Sequence, residues 1–297
     1  MKIRVLTPAE WPTLANFLLA QNVGSSLCLH SHAGDSAAAY EADLAALPPA
    51  EACFIIAEQD ARCVGVMGGE FSLEVARVWL RGPIVDASLS AAAVAEVRDA
   101  LWHQLNGALP SEVKRLDGFL DISNATGLEW YGRHGFTEQP HYFIYEARRA
   151  ASVPTMPEQV QQATASQHTS LLELAKLVFP SGYLTDSELT ATNNDQHALF
   201  VIADGGRVDG YVYANIANAD TDDAEVYVDY LVVRPESRGR KIGRTLLQAA
   251  LSWGFAKRGV SKAALTVAAD NANAQGLYAS VGFALAATGV PMRLDRA

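Results

Sequence analysis

A short basic segment, residues 234–244, holds the side chains best suited to binding chemistry. It carries five cations against one acid, Glu236, and has glycines at 239 and 243. Glycines let a ligand approach the backbone, and free amides at a helix start form a site for anions. Because cations are unfavourable at a helix N-terminus, the segment predicts a site for one compact polyanion. A solvated basic turn that caps a helix is the alternative.

The surrounding sequence predicts the elements that position this segment. Residues 226–233 form a strand of β-branched and aromatic residues, and Ile242, Leu246 and Leu251 fall on one face of a following helix. Upstream, residues 198–203 and 210–216 predict a hairpin, with a helix over 169–177 before it. Downstream come a strand over 263–268, a helix over 272–280 and another strand from Phe283. The pattern predicts an α/β domain (α+β mixed sheet) with one strand–loop–helix unit.

The chain contains an internal repeat. Residues 54–58 resemble 200–204, residues 130–136 resemble 277–283, and residues 3–7 resemble 160–164. Asn124 and Asn271 each lie seven residues before the tyrosine of the second match. A stretch with two prolines near residues 151–157 marks the boundary. We therefore predict two domains, residues 1–150 and 155–297.

The second half resembles the GNAT (GCN-related) N-acetyltransferase family. Val233-Arg234-Pro235 with residues 238–243, and residues 271–283 with Tyr278 and a final Gly-Phe, are similar to its two motifs. One residue departs from the pattern: Lys241 stands where the family usually has a glycine, so its side chain would either crowd a pyrophosphate or add a cation beside it. The resemblance implies two tandem GNAT domains, the arrangement of mycothiol synthase-like bacterial proteins.

The resemblance also implies a cosubstrate and roles for particular residues. Acetyl-CoA would bind through its pyrophosphate at the basic segment. Its pantetheine would lie along the end of the preceding strand, which splays from its neighbour and polarises the acetyl carbonyl. Tyr278 would protonate the departing thiolate. The implied cofactor-binding residues are Leu231, Val232, Val233, Arg238, Gly239, Arg240, Lys241, Ile242, Gly243, Arg244 and Asn271.

An amine attacks a thioester only when it is unprotonated, so a base must take its proton. Strict alternation along the strand places Glu225, Tyr227, Asp229 and Leu231 on one face. Asp229 is the first choice for the base and Glu225 the second, and a solvated strand edge is the alternative for both. Tyr227 and Tyr183 are candidates for the acceptor site, and Tyr183 is equally compatible with a packed loop aromatic.

The first half keeps only part of this pattern. It retains Asn124, Tyr131 and Gly135-Phe136, but no cluster of cations and glycines falls at the equivalent of the basic segment. Asp86 near the corresponding helix start would repel a pyrophosphate. We predict a degenerate GNAT domain that shapes or covers the active site of the other domain.

Composition excludes several classes of protein. A net charge of −10 with one dense basic segment argues against a nucleic-acid partner. No apolar run is long enough to span a membrane, and the first residues lack the features of a secretory signal. Three cysteines without a CxxC pair, and scattered histidines, favour reduced thiols, no metal site and a cytoplasmic location. A monomer or homodimer is expected.

Three functions remain after these exclusions. The first is an acyltransferase, an acetyl-CoA-dependent N-acetyltransferase whose small-molecule acceptor attacks directly through a primary amine. The second is a catalytically weak CoA-binding or sensory module. Tyr278 together with the acidic strand face favours the enzyme, because binding requires neither, whereas Lys241 favours the module. A transferase that uses a longer acyl-CoA is a third option.

Overall fold

The computed structural model describes residues 1–21, 36–150, 153–179, 193–219, 222 and 224–296. These residues form two compact units, Met1–Tyr142 with Ala287–Ala297, and Phe143–Ala286. The division differs from the one predicted at residues 150–155. The last strand of the first repeat copy belongs to the second unit, and the last strand of the second copy belongs to the first unit. The proline-rich linker marks where one copy ends, but it carries no information about which sheet a strand joins.

The first unit contains a mixed sheet with helices on both faces. Its strands lie in the order β1-β2-β3-β4-β5-β13, and all pairs are antiparallel except β4 with β5. Helix α3 covers one face through Leu101 and Leu105, and α1 and α2 cover part of the other around Tyr40. The elements are β1 Lys2–Val5, α1 Ala15–Gln21, α2 Ala37–Ala46, β2 Ala52–Gln59, β3 Arg62–Ser72, β4 Arg77–Val85, α3 Ala91–Ala108, β5 Arg115–Asp121, α4 Ala125–Arg133, β6 Thr137–Glu138 and, at the end of the chain, β13 Ala284–Asp295.

The second unit repeats this plan. Its strands lie in the order β7-β12-β11-β10-β9-β8, with β11 and β12 parallel. The elements are β7 Tyr142–Arg148, β8 Gln161–Gln162, α5 His168–Val178, β9 His197–Asp204, β10 Arg207–Ala217, β11 Glu225–Val233, α6 Ile242–Phe255, β12 Lys262–Ala268 and α7 Ala272–Ala279. The predicted hairpin, the strand–loop–helix unit and the mixed α/β class are confirmed.

The two faces of the second sheet have separate cores. Helix α6 packs on one face through Leu246 and Leu247 against Val226 and Val228 of β11. Helix α5 packs on the other face against Tyr211 of β10. A side-chain carbon at Gly254 of α6 would lie 2.0 Å from Val226, so this glycine permits the close approach of helix and sheet. The close packing holds the C-terminal end of α6 against the start of β11. No helix in the described part of the chain is long and apolar enough to cross a membrane.

Candidate active site

Strands β11 and β12 diverge beside the basic segment. They pair only where Glu225–Val228 faces Lys262–Leu265, although β11 continues to Val233 and β12 to Ala268. Residues 229–233 of β11 therefore present backbone groups that this ladder does not use. Such groups can hydrogen-bond a ligand that lies between the strands. The divergence agrees with the splayed strand that the resemblance implied.

A β-bulge at Asp229 changes the faces of β11. Tyr213 of β10 opposes Tyr230, and the next residue, Ala214, opposes Val228, so Asp229 is the extra residue. A bulge interrupts the alternation of side chains along a strand. Leu231 consequently packs against the cluster that contains Val228. The prediction that Leu231 shares a face with Tyr227 and Asp229 is therefore wrong.

The structure separates the two candidate bases. Asp229 is exposed, and its carboxylate accepts a hydrogen bond from the side-chain amide of Asn215 on β10. Glu225 is buried, and its carboxylate lies 3.2 Å from Nζ of Lys262 on β12. An exposed carboxylate can take a proton from a bound molecule, whereas Glu225 stabilises the pairing of β11 with β12. These contacts favour Asp229 over Glu225.

Tyr227 lies at the point where the strands begin to separate. Its hydroxyl is 3.0 Å from Oγ1 of Thr266, the first residue of β12 beyond the paired region. Burial raises the pKa of the Tyr227 phenol to about 12. Tyr227 is therefore a neutral hydrogen-bonding group in this region. Tyr183 lies outside the described residues.

The start of α6 has free donors. The backbone amides of residues 241–244 donate to no described residue, and no side chain caps this helix. The other described helices that follow a parallel-paired strand are capped, α3 by Ser90, α4 by Asn124 and α7 by Asn271. Gly239 (φ +80°) and Lys241 (φ +63°) both have left-handed backbone conformations, which turn successive amides in this segment. Uncapped amides in such an arrangement suit a bound anion.

Buried Asp209 of β10 anchors the basic segment from below. Its carboxylate accepts a hydrogen bond from the Ser237 hydroxyl (2.9 Å) and another from Nη1 of Arg240 (3.0 Å). Arg234 donates Nε to the carbonyl of Val208 at 3.0 Å. Arg234 and Arg240 are thus held by the protein itself. Asp209 was missed in the sequence, where a single acid in an apolar strand carries no signal of its partners.

The remaining cations of the segment are available to a ligand. The side chains of Arg238 and Lys241 are exposed and donate to no described residue. Arg244 is also exposed, and its only hydrogen bond within the described part of the chain is a long one of 3.3 Å to the carbonyl of Ser280. At Gly243 a side-chain carbon would lie 3.1 Å from Leu277 of α7, which explains a small residue there. The segment therefore combines uncapped amides with three mobile positive charges.

Lys241 is expected to reduce stability relative to glycine. A residue with a side chain is disfavoured at positive φ by about 1–2 kcal/mol, and replacing it by glycine removes this cost. Part of the resulting gain in stability is lost because glycine is more flexible in the unfolded chain. We expect Lys241→Gly to raise the free energy of unfolding by about 1 kcal/mol in urea denaturation. Lys241→Ala, which keeps Cβ, is the matched control and should show no such gain. Equal stability of the glycine and alanine variants would contradict the argument.

Helix α7 brings Tyr278 to the same region. Asn271 caps the helix by accepting a hydrogen bond from the amide of Ala274 (3.2 Å), which steadies the helix start. Tyr278 is 8% exposed and packs against Phe283 and Tyr145. Its hydroxyl forms no hydrogen bond within the described part of the chain. Burial raises its pKa to about 12, so the phenol carries its proton at neutral pH.

The equivalent tyrosine of the first unit has a different environment. Strands β4 and β5 also diverge after a short parallel pairing, Arg77–Trp79 with Arg115–Asp117. The hydroxyl of Tyr131 donates to the carbonyl of Gly82 in β4 at 2.5 Å, and its ring lies against Gly118 of β5. The Tyr131 side chain therefore connects the two diverging strands. In the first unit the space between the diverging strands is therefore filled by the Tyr131 side chain.

The described residues contain no group of three or more histidine, cysteine, aspartate or glutamate side chains that could hold a metal ion.

A family model matches most of the second unit. Residues 168–283 match the model of the Acetyltransferase (GNAT) family. No curated protein matches the chain by sequence. The matched segment contains β11, the basic segment, α6, β12 and α7, and therefore the whole described site.

Solved structures share the fold over the full chain. A GCN5-related N-acetyltransferase from Sphaerobacter thermophilus has a TM-score of 0.70 at 18% identity, covering 99% of this chain and 95% of its own. A tandem GNAT protein from the clavulanic acid biosynthesis pathway has a TM-score of 0.66 at 18% identity, covering 99% and 98%. A GNAT-family acetyltransferase from Colwellia psychrerythraea has a TM-score of 0.62 at 15% identity, covering 99% and 100%. The two tandem GNAT-fold domains that the resemblance implied are confirmed as a fold.

Proposed function

Because residues 168–283 form a GNAT acetyltransferase domain, we propose that the protein is an acetyl-CoA-dependent N-acetyltransferase acting on a primary amine of a small molecule. The observation that carries this proposal is the adjacency of three features. The uncapped amides of residues 241–244 follow directly on the open end of β11, and Tyr278 projects from α7, which packs beside them. In this arrangement the start of α6 binds polyanions and α7 holds a proton donor, as acyl transfer from a CoA thioester requires.

The proposed cosubstrate fits the donors in this region. Its pyrophosphate would bind the amides at the start of α6, with Arg238, Lys241 and Arg244 as charge-assisted donors. Its pantetheine arm would hydrogen-bond the backbone of residues 231–233, which lies beyond the pairing with β12. Lys241 points to solvent, so its side chain adds a cation at the rim of the site.

The chemistry follows from the residues beside the divergence. The amine nitrogen attacks the thioester carbonyl carbon, a C–N bond forms, and the C–S bond breaks. The proton leaving the nitrogen passes to the Asp229 carboxylate, and the departing thiolate takes a proton from the Tyr278 phenol. Free backbone amides of β11 would stabilise the negative charge on the carbonyl oxygen. The products are an N-acetyl amide and CoA.

We assign acetyl-CoA binding to the second unit alone. In the first unit the hydroxyl of Ser90 accepts a hydrogen bond from an amide at the start of α3, and Tyr131 occupies the divergence between its strands. Asp86 before that helix accepts a hydrogen bond from the Ser88 hydroxyl and is paired with Arg62, so the cation there is already bound within the protein. The first copy is therefore proposed to be a degenerate domain. We further propose that the acceptor is a small molecule, that the protein acts in the cytoplasm, and that it has no nucleic-acid or membrane partner.

The test combines calorimetry with an amine screen. Acetyl-CoA should bind at one site per chain, and at least one amine should release CoA above the rate of spontaneous hydrolysis. Binding of acetyl-CoA without release by any amine would support the CoA-binding module instead. Parallel reactions with propanoyl-CoA and longer acyl-CoA compounds would establish the acyl-chain preference.

Asn215 is expected to orient the proposed base. Its side-chain amide donates to Asp229, and losing that donor would let the carboxylate rotate away from the acceptor nitrogen. We expect Asn215→Ala to lower kcat by about tenfold with little change in acetyl-CoA affinity. Asn215→Asp, which replaces the donor by a second carboxylate, should lower kcat at least as much. A role in folding alone would instead reduce the melting temperature and leave kcat per folded molecule unchanged.

A further inference from the structure

An aromatic strip crosses the face of the second sheet that is opposite α6. It consists of Phe179, Tyr230, Tyr213 and His197. The ring centroids of successive members lie 5.8, 6.4 and 6.1 Å apart. His197 and Tyr213 are stacked, and Nδ1 of His197 lies 2.9 Å from the Tyr213 hydroxyl. Phe179 is 42% exposed, so the strip reaches the surface.

The aromatic strip runs beside Asp229. Tyr230 follows Asp229 directly along β11 and opposes Tyr213 across the bulge. Asn215, which donates to the Asp229 carboxylate, is in register with His197 of β9. The bulge therefore brings a carboxylate and a set of aromatic rings onto one face of three adjacent strands.

Among β9, β10 and β11 the exposed charge beside the aromatic strip is negative, and helix α5 on the same face carries one acid and one cation, Glu173 and Lys176. Arg207 is the only lysine or arginine in β9, β10 and β11, and it lies at the far end of β10, paired with Glu236. Glu225 is neutralised by Lys262, which leaves Asp229 as the exposed charge at the bulge. The faces of aromatic rings attract cations and repel anions. The surface is therefore complementary to positive charge and unfavourable for an anionic acceptor.

We propose that the acceptor is a diamine: one amine reacts beside Asp229, and a second ammonium group binds the accessible rings of the aromatic strip, Tyr230 and Phe179. The inference rests on the proposed N-acetyltransferase function and specifies its substrate class. Tyr230 directly follows Asp229 along β11, so a short chain is enough to join the two amines.

Matched amines of one chain length test this inference on the full-length protein. CoA release with acetyl-CoA would be followed for pentylamine, 5-aminopentan-1-ol, 1,5-diaminopentane and 6-aminohexanoate. We expect kcat/KM for the diamine to exceed that for pentylamine by at least about fivefold, with 6-aminohexanoate the poorest acceptor. 5-Aminopentan-1-ol separates the effect of charge from that of a polar end group and should behave like pentylamine.

Variants place the preference on the aromatic strip. Tyr230→Leu keeps an apolar side chain and removes the ring, so the ratio of kcat/KM for diamine over pentylamine should fall to near one. Tyr142→Leu is the matched control, because Tyr142 is a 39% exposed tyrosine on β7, outside the site, and the ratio should not change. Melting temperatures would confirm that both variants fold.

The outcomes separate the inference from the proposed function. Equal kcat/KM for pentylamine and the diamine, or a better reaction with 6-aminohexanoate, would overturn the diamine assignment and leave the transferase intact. Acetyl-CoA binding with no turnover of any of the four amines would also overturn it. Failure to bind acetyl-CoA would instead reject the proposed function.

Discussion

Tyr278→Phe is expected to lower kcat by about 10²–10⁴-fold while acetyl-CoA affinity stays nearly unchanged. The phenol is buried, protonated and without a hydrogen-bond partner within the described part of the chain, so it can give its proton to a departing thiolate. A proton donor acts in the transition state, and its loss therefore appears in kcat rather than in ground-state binding. Steady-state kinetics and calorimetry on the purified variant would measure both quantities.

Tyr131→Phe is the matched control from the other repeat copy. Tyr131 holds the same place in the shared motif, but its hydroxyl donates to the carbonyl of Gly82. Removing it leaves a buried acceptor without a partner, which costs about 1–3 kcal/mol of stability. We expect a lower melting temperature and an unchanged kcat. A large loss of kcat in Tyr131→Phe without destabilisation would mean that the first unit takes part in catalysis.

The pH dependence of kcat provides an independent readout of Tyr278. Burial disfavours the charged phenolate, so the phenol loses its proton only at high pH, with a pKa of about 12. The wild-type enzyme should therefore show no fall in kcat from ionisation of Tyr278 below about pH 10. A fall in kcat below that pH that is present in the wild type and absent in Tyr278→Phe would contradict the raised pKa of the phenol.

Replacing Arg238 and Arg244 together by alanine should weaken acetyl-CoA binding by about 10²-fold. Charge-assisted hydrogen bonds to phosphate contribute about 1.5–3 kcal/mol each, and the exposure of both guanidinium groups places the expected effect at the lower end. Stability should change little, because Arg238 has no partner within the described residues and Arg244 makes one long hydrogen bond. Arg240 is left in place because it holds Asp209.

A second double variant controls for net charge. Arg148 and Arg258 are exposed arginines of the second unit outside the basic segment, and replacing both by alanine changes the net charge by the same amount. We expect this variant to bind acetyl-CoA as the wild type does, measured by calorimetry at one salt concentration. Equal affinity of both double variants and the wild type would remove the phosphate assignment.

Local patterns in the sequence were sufficient for the parts of the site that depend on neighbouring residues. The strand–loop–helix order around residues 226–255 follows from hydrophobic period and turn residues, and Asn271 caps its helix through an amide three residues away. The repeat predicted two copies of one fold, because equivalent sequences bury equivalent faces. These features require only contacts that lie close along the chain.

The tertiary structure decided what the pairing of distant strands controls. The bulge at Asp229 exists only against β10, and it moved Leu231 to the other face of β11. Parallel pairing brought Lys262 opposite Glu225, although the two residues are far apart in sequence. The resulting ion pair favours Asp229 over Glu225 as the base. Periodicity assigns a side chain to a face only while the strand stays regular, and neither a bulge nor an ion pair between strands leaves a local signal.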